Sequence, residues 1–243
     1  MLEDSLGYPD LRSRTVQWLT SDTEDLYDSN YRHQRQKLEK LGWTKDNVNY
    51  TFNSYGFRSE EFDNSNSIVF LGCSHTLGIG LPVHEIFATQ VASKLKLKCY
   101  NLAIGGGSTD TCFRLAYYWL EKLRPKICVY VEPEETRFEL KYTVNDKNQF
   151  VNCNVSSINS LCSPVKEFYR LWLLNDSNSF LKKQKNLLSI QHICLQNKIK
   201  FVKSNVEFVN EDFEDRARDL IHYGIKTHKL KADNILELVH DKY

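Results

Sequence analysis

The sequence predicts an α/β protein: a three-layer α/β/α sandwich around a parallel sheet of about five strands, preceded by an N-terminal arm. Three observations point there. Short apolar runs recur at residues 67–71, 98–107, 125–133 and 199–204, and the first three run into glycine, or into proline and acid. Segments with helical spacing lie between these runs, which is the β-α-β rhythm of a parallel sheet covered on both faces. The chain has 243 residues and is 41% hydrophobic, enough to bury a sizeable core.

Each element follows in order. Residues 1–50 read as an arm or small subdomain, polar and dotted with aromatics, with one charged helix-like piece, "YRHQRQKLEKLGW". No Gly/Ser-rich linker separates them from residues 51–243, the α/β domain. "SIVFLG", from Ser67, is a short apolar run that stops at glycine and suits a buried parallel strand. "HEIFATQVASKLKL" places Ile86, Phe87, Val91 and Leu95 at helical spacing. "KCYNLAIGGG" is a second strand that breaks into glycines. "DTCFRLAYYWLEKLR" is a second helix, with Phe113, Leu115, Tyr117, Tyr118 and Leu120 as its apolar positions. "PKICVYVEP" is a third strand. Residues 140–163 are Asn/Ser-rich and read as loop. "VKEFYRLWLL" and "FLKKQKNLLSIQHICLQNK" are helices, and "IKFVKS" is a strand. "EDRARDLIHYG" is irregular, and "THKLKADNILELVHDKY" is a closing helix with Thr227 as its N-cap.

Composition excludes several function classes. Lys plus Arg is 32 and Asp plus Glu is 31, a net charge of +1, so neither a nucleic-acid footprint nor a polybasic membrane patch is expected. No run approaches the roughly 18 apolar residues of a membrane span. The N-terminal residues lack the basic start and apolar core of a secretory signal. The seven cysteines are odd in number and form no C-x-x-C pair, and Cys128 lies within the apolar "ICVYV". Buried free thiols in a reducing, cytoplasmic compartment fit this better than disulfides or a zinc site. No metal and no cofactor is expected.

In open α/β sheets ligands bind beyond the carboxyl ends of the strands. Three elements fall there: "GCSHTLG", "NLAIGGGSTD" and "EPEETR". Ser74 follows the first strand directly. A serine is a poor nucleophile unless a base lies within hydrogen-bond reach and a carboxylate fixes the tautomer of that base. Asp219 and His222, on one late loop, can supply both.

These residues carry a resemblance. "FLGCSHTLGIGL" resembles the first block of the SGNH (GDSL-type) hydrolase superfamily, Gly-Asp-Ser-x-Thr-x-Gly, read here as Gly72-Cys73-Ser74-His75-Thr76-Leu77-Gly78. "YNLAIGGGSTD" resembles the second block, whose oxyanion-hole glycine falls on Gly106. "ARDLIHYGIKTHKLKAD" resembles the Asp-x-x-His block, with Asp219 and His222. "NSYGFRSEEF" resembles the Asn-x-x-Gly-Phe-Arg lead-in of many members. The resemblance spans residues 50–240, with the blocks in family order. It implies a flavodoxin-like fold and a serine esterase acting on an O-acyl ester, an O-acetyl group among them. Ser74 is then the nucleophile, His222 the base, and Asp219 its orienting carboxylate. The amides of Ser74 and Gly106 would hold the oxyanion, and His75, Glu134 and Arg137 would line the substrate pocket.

Two positions depart from the pattern. The block-one Asp is Cys73, which is not a triad position. The third block, usually Gly-x-Asn-Asp, is replaced by Glu132-Pro133-Glu134-Glu135-Thr136-Arg137. Glu134 falls near the missing Asn, and a carboxylate there would repel the developing negative charge. A non-catalytic or weakly active SGNH-fold binding protein is therefore the alternative, with an O-acyltransferase as a further one. The partner expected is a small-molecule or carbohydrate ester.

Each residue also has a plainer reading. Ser74 can be a helix-capping turn serine, and Gly106 a glycine required by φ alone. His222 and His228 can be surface residues, and His75 can merely pack. Glu132, Glu134 and Glu135 resemble a glycosidase-like acid and base pair, but a solvated loop bridged by Arg137 is the preferred reading. Cys73 as a thiol nucleophile is disfavoured because Ser74 holds the family position. Arg58 either buttresses the site or pairs with a nearby acid.

Overall fold

The computed structural model describes residues 6–63, 65–144, 147–205 and 214–241. The arm opens with β1 (Thr15–Val16), followed by α1 (Glu24–His33), α2 (Arg35–Leu41) and β2 (Tyr50–Thr51), which pairs antiparallel with β1. Its helical content thus begins earlier than "YRHQRQKLEKLGW" and breaks at Gln34. Thr23 caps α1, accepting a hydrogen bond from the Leu26 amide.

The α/β part runs β3 (Ser67–Leu71), α3 (Ser74–Leu77), α4 (Phe87–Lys94), β4 (Lys98–Asn101), α5 (Thr109–Leu123) and β5 (Ile127–Glu132). It continues with β6 (Phe138–Val144), β7 (Lys147–Cys153), α6 (Ser163–Leu173), α7 (Asp176–Gln196), β8 (Lys200–Asn205) and α8 (Ile225–His240). The main sheet has the order β4-β3-β5-β8, every pair parallel. Among the described residues four strands form it, against the five or so expected, and the stretch carrying Asp219 and His222 is irregular and leads straight into α8.

Strand alternation builds the two faces. Ile68, Phe70, Val129, Val131 and Val202 pack with α4, α8 and much of the arm. Val69, Leu71, Cys128 and Tyr130 point the other way, against α5 and α7. The layers are therefore helix, sheet, helix. The helix α5 shows why these boundaries form. Ser108 and Thr111 make a reciprocal capping box at its start. Arg124, in the left-handed region just before Pro125, ends it.

Residues 140–163, expected as loop, include most of the antiparallel hairpin β6–β7. Phe138, Leu140 and Tyr142 alternate with Glu139 and Lys141, and the polar positions masked a period-2 pattern. Phe138 and Cys153 pack on Val165 and Tyr169 of α6, which completes a small separate core. The N-cap of α8 is Gly224, not Thr227. Thr227 lies one turn in, where its amide and hydroxyl both donate to Asp215, each at 2.7 Å. Residues 242–243 of the expected closing helix lie outside the described residues.

Candidate active site

The parallel strands bring three connections to one edge of the sheet: α3 after β3, the turn Gly105–Gly107 after β4, and Pro133–Arg137 after β5. Ser74 opens α3 and is half-buried. The turn into it is tight. A Cβ on Gly72 would lie 2.1 Å from Thr76 Oγ1 and 2.8 Å from Thr76 Cβ, so no side chain fits there. Gly106 holds φ at +70°, in the left-handed region. Among the described residues, the amides of Ser74 and Gly106 donate to no protein acceptor. Two unpaired N–H groups at the carboxyl edge are what an oxyanion requires.

Asp219 and His222 come together as the spacing implied. Asp219 Oδ2 lies 2.7 Å from His222 Nδ1. Asp219 Oδ1 accepts from the amides of Ile221 and His222, both at 3.0 Å. Burial pushes the Asp219 carboxyl up, but the bonds from the His222 ring, its charge and the two amides outweigh this and hold it below the ordinary value. The ionised carboxylate then accepts a hydrogen bond from Nδ1–H, which leaves Nε2 as the ring's free acceptor. Leu220, between the two residues, sits at φ +56°, a strained conformation for a non-glycine residue.

Ser74 Oγ makes no hydrogen bond to His222 in this structure. His75, the next residue in the chain, has its ring centroid 4.9 Å from that of His222 and 5.0 Å from that of Tyr223. Burial first, with the nearby Arg137 guanidinium adding to it, pushes the His75 pKa well down, so the ring is neutral near pH 7. Glu134 does not stand alone: it accepts from Thr136 Oγ1 at 2.8 Å and pairs with Arg137 at 3.2 Å. His228 is not a surface residue. It is buried under α4, where Nδ1 accepts from the Phe87 amide at 3.1 Å, and burial pulls its pKa down to about 3.

A cavity of about 630 Å³ opens beside Cys73 and is lined by Glu132, Glu134, Glu135, Arg137 and Lys183. It includes Glu134 and Arg137 of the expected pocket residues. A more open depression, lined by Glu60, Ser65 and Lys96–Lys98, lies at the amino end of the strands, remote from Ser74. Among the described residues no group of three or more His, Cys, Asp or Glu could hold a metal ion. No described helix is long and apolar enough to cross a membrane.

The arm contributes residues that the sequence reading missed. Ser21 Oγ donates to Asp219 Oδ2 at 2.9 Å, and Asn30 Nδ2 donates to the Asp219 carbonyl at 3.1 Å. Fully buried Arg218, next in chain, pairs with Asp22 at 2.7 Å and also donates to the carbonyls of Gln17, Lys45 and Val48. Tyr50 Oη donates to Asp22 at 2.5 Å and accepts from the Gly80 amide at 2.8 Å. Arg58 does buttress the site: it donates to the carbonyls of Leu77, Gly78 and Leu81 just after Ser74's helix. Burial lowers its pKa to about 10.

No protein-family model and no curated protein matches the chain. Similar solved structures include esterases and a GDSL-like lipase. One is the psychrotrophic esterase EstA from Pseudoalteromonas sp. inhibited by monoethylphosphonate, 12% identical over 72% of this chain and 96% of that one, with a TM-score of 0.38. Another is an acetyl xylan esterase from the rumen bacterium Butyrivibrio proteoclasticus, 13% identical over 73% of this chain and 64% of that one, with a TM-score of 0.40. A GDSL-like lipase from Bacteroides thetaiotaomicron is 10% identical over 89% of this chain and 100% of that one, with a TM-score of 0.34.

Proposed function

We propose that the chain is a serine esterase that cleaves an O-acyl ester of a polar alcohol. The observation that carries this reading is the Asp219–His222 pair, bonded at 2.7 Å with Nε2 left as acceptor, at the same end of the molecule as Ser74. His222 Nε2 takes the proton of Ser74 Oγ as Oγ bonds to the ester carbon. The carbonyl electron pair moves onto oxygen, where the Ser74 and Gly106 amides receive it. Collapse expels the alcohol, which takes the proton back from His222. Water then repeats the cycle on the acyl-enzyme. Catalysis needs the Ser74 side chain to turn toward Nε2, since apo contacts of this kind are commonly open.

The lining of the cavity beside Cys73 favours a hydroxylated alcohol, such as an acetylated sugar, over a long acyl chain. Its carboxylates and cations would be left without water by an apolar ligand. The test is hydrolysis of p-nitrophenyl acetate by wild type and Ser74→Ala. Turnover that survives in the variant would end this reading.

One observation favours a second reading, a binding protein of the same fold: Ser74 and His222 are not hydrogen-bonded. In that case a purified sample shows no turnover of any activated ester but retains affinity for a polar ligand in the cavity beside Cys73.

A further inference from the structure

We infer that Asn154 supplies a third oxyanion donor, reaching the site from the β6–β7 hairpin rather than from the exit of β5. This rests on the serine-esterase reading above.

The hairpin is tied down beside the glycine turn. Glu139 of β6 pairs with Arg114 of α5 at 2.6 and 2.9 Å, and both side chains are nearly buried. Thr111 Oγ1, in the first turn of α5, lies 3.0 Å from Asn152 Oδ1 of β7. The turn Gly105–Gly107 leads directly into that helix. The end of β7 therefore stands next to Gly106. A Cβ built on Gly106 would have Asn154 Nδ2 as its nearest neighbour, at 3.8 Å, and Asn152 Cβ next, at 4.0 Å.

The orientation of the Asn154 amide is determined by its partners. Oδ1 accepts from the Ser157 backbone amide at 2.9 Å and from Ser156 Oγ at 2.6 Å. A backbone N–H can only donate, so the atom facing it is the oxygen, and the nitrogen is the end facing Gly106. Among the described residues, Nδ2 donates to nothing. Asn154 Nδ2, a donor without an acceptor among the described residues, thus stands beside Gly106, whose own amide, like that of Ser74, has no protein acceptor. At the exit of β5 the position nearest the missing Asn is Glu134, a carboxylate that accepts from Thr136 and pairs with Arg137 and has no N–H to offer. During acylation Asn154 transfers no proton. It hydrogen-bonds the carbonyl oxygen as that oxygen gains the electron pair released by attack of Ser74.

Asn154→Asp removes the donor and sets a negative charge in its place, so it bounds the effect from above. Its carboxylate still accepts from Ser156 and Ser157 and keeps the local cap, but it offers no N–H. On p-nitrophenyl acetate, kcat should fall by about 10² to 10³ with KM changed only a few-fold. Asn154→Ser is the second variant. Serine caps equally well but is too short to reach the oxyanion, so the same fall is expected even if the aspartate variant folds poorly. If wild type turns over through Ser74 and both variants keep more than a third of its kcat, Asn154 is not a donor while the esterase reading stands. If wild type neither turns over nor reacts at Ser74 with a fluorophosphonate, the esterase reading fails and the donor role fails with it.

Discussion

Replacing Asp22 by alanine tests whether the arm holds the loop of Asp219 and His222. Arg218 has no exposed surface, and Asp22 is its only carboxylate partner among the described residues. Arg218 Nε lies 3.1 and 3.2 Å from the two Asp22 oxygens, and Nη2 lies 2.7 Å from Oδ2. Asp22→Ala leaves a buried guanidinium with carbonyls but no counter-charge, a change that costs about 3 to 5 kcal/mol. Tyr50 loses its 2.5 Å acceptor as well, worth about 1 kcal/mol more. The sum, about 4 to 6 kcal/mol, is a large part of the stability of an ordinary domain. Asp22→Asn, which keeps an acceptor but not the charge, should cost about 1 to 3 kcal/mol. Urea denaturation at pH 7 measures both. The double variant Asp22→Ala/Arg218→Met should recover much of the loss, since it removes the orphaned charge. An Asp22→Ala protein within 1 kcal/mol of wild type, by the same ~1 kcal/mol standard as a single hydrogen bond, would refute the clamp.

Other perturbations address the site. His222→Ala should cost nearly as much activity as loss of Ser74, and Asp219→Asn less, though still about 10³ to 10⁴ in kcat; steady-state kinetics on p-nitrophenyl acetate decide this. Glu134→Asn should leave kcat within about threefold, because Glu134 is already held by Thr136 and Arg137 and the donor comes from elsewhere. A tenfold gain would place the missing donor at Glu134 instead. Buried His228, with its pKa near 3 in the fold, binds its proton more readily when unfolded. Its contribution to stability is full above the ordinary histidine pKa and is lost as pH falls from there toward 3. Between pH 6.5 and 5 the loss is about 2 kcal/mol, and His228→Gln should lose less over the same interval in urea denaturation.

Much of this fold was legible because its strands are apolar in unbroken runs. "SIVFL" and "ICVYV" can only be buried on both faces, and the glycines that end or follow such runs marked the site edge. The Asp219–His222 contact was legible for a local reason: three residues of one loop bring the two side chains together. What failed was long-range. Ser21 meets Asp219 across 198 positions, and no local pattern announces it. For Arg58 the sequence left open whether it buttresses the site or pairs with an acid, and nothing local marked Arg218; their carbonyl and carboxylate partners are far away in the chain. The β6–β7 hairpin was hidden by the polar residues, such as Glu139, Lys141 and Asn152, that alternate with its apolar ones, and with it Asn154. His228 looked exposed because its helix is polar nearby, yet it packs on Phe87 with ring centroids 5.2 Å apart.

The proposed activity stands or falls on Ser74 as a nucleophile activated by His222. Labelling with a fluorophosphonate, followed by mass analysis of the modified peptide, tests it most directly, because the reagent reacts only with an activated serine. One adduct per chain on Ser74 is expected in wild type, none in Ser74→Ala, and a strongly slowed reaction in His222→Ala. No adduct on wild type, an adduct on another residue, or labelling at an unchanged rate in His222→Ala would contradict it.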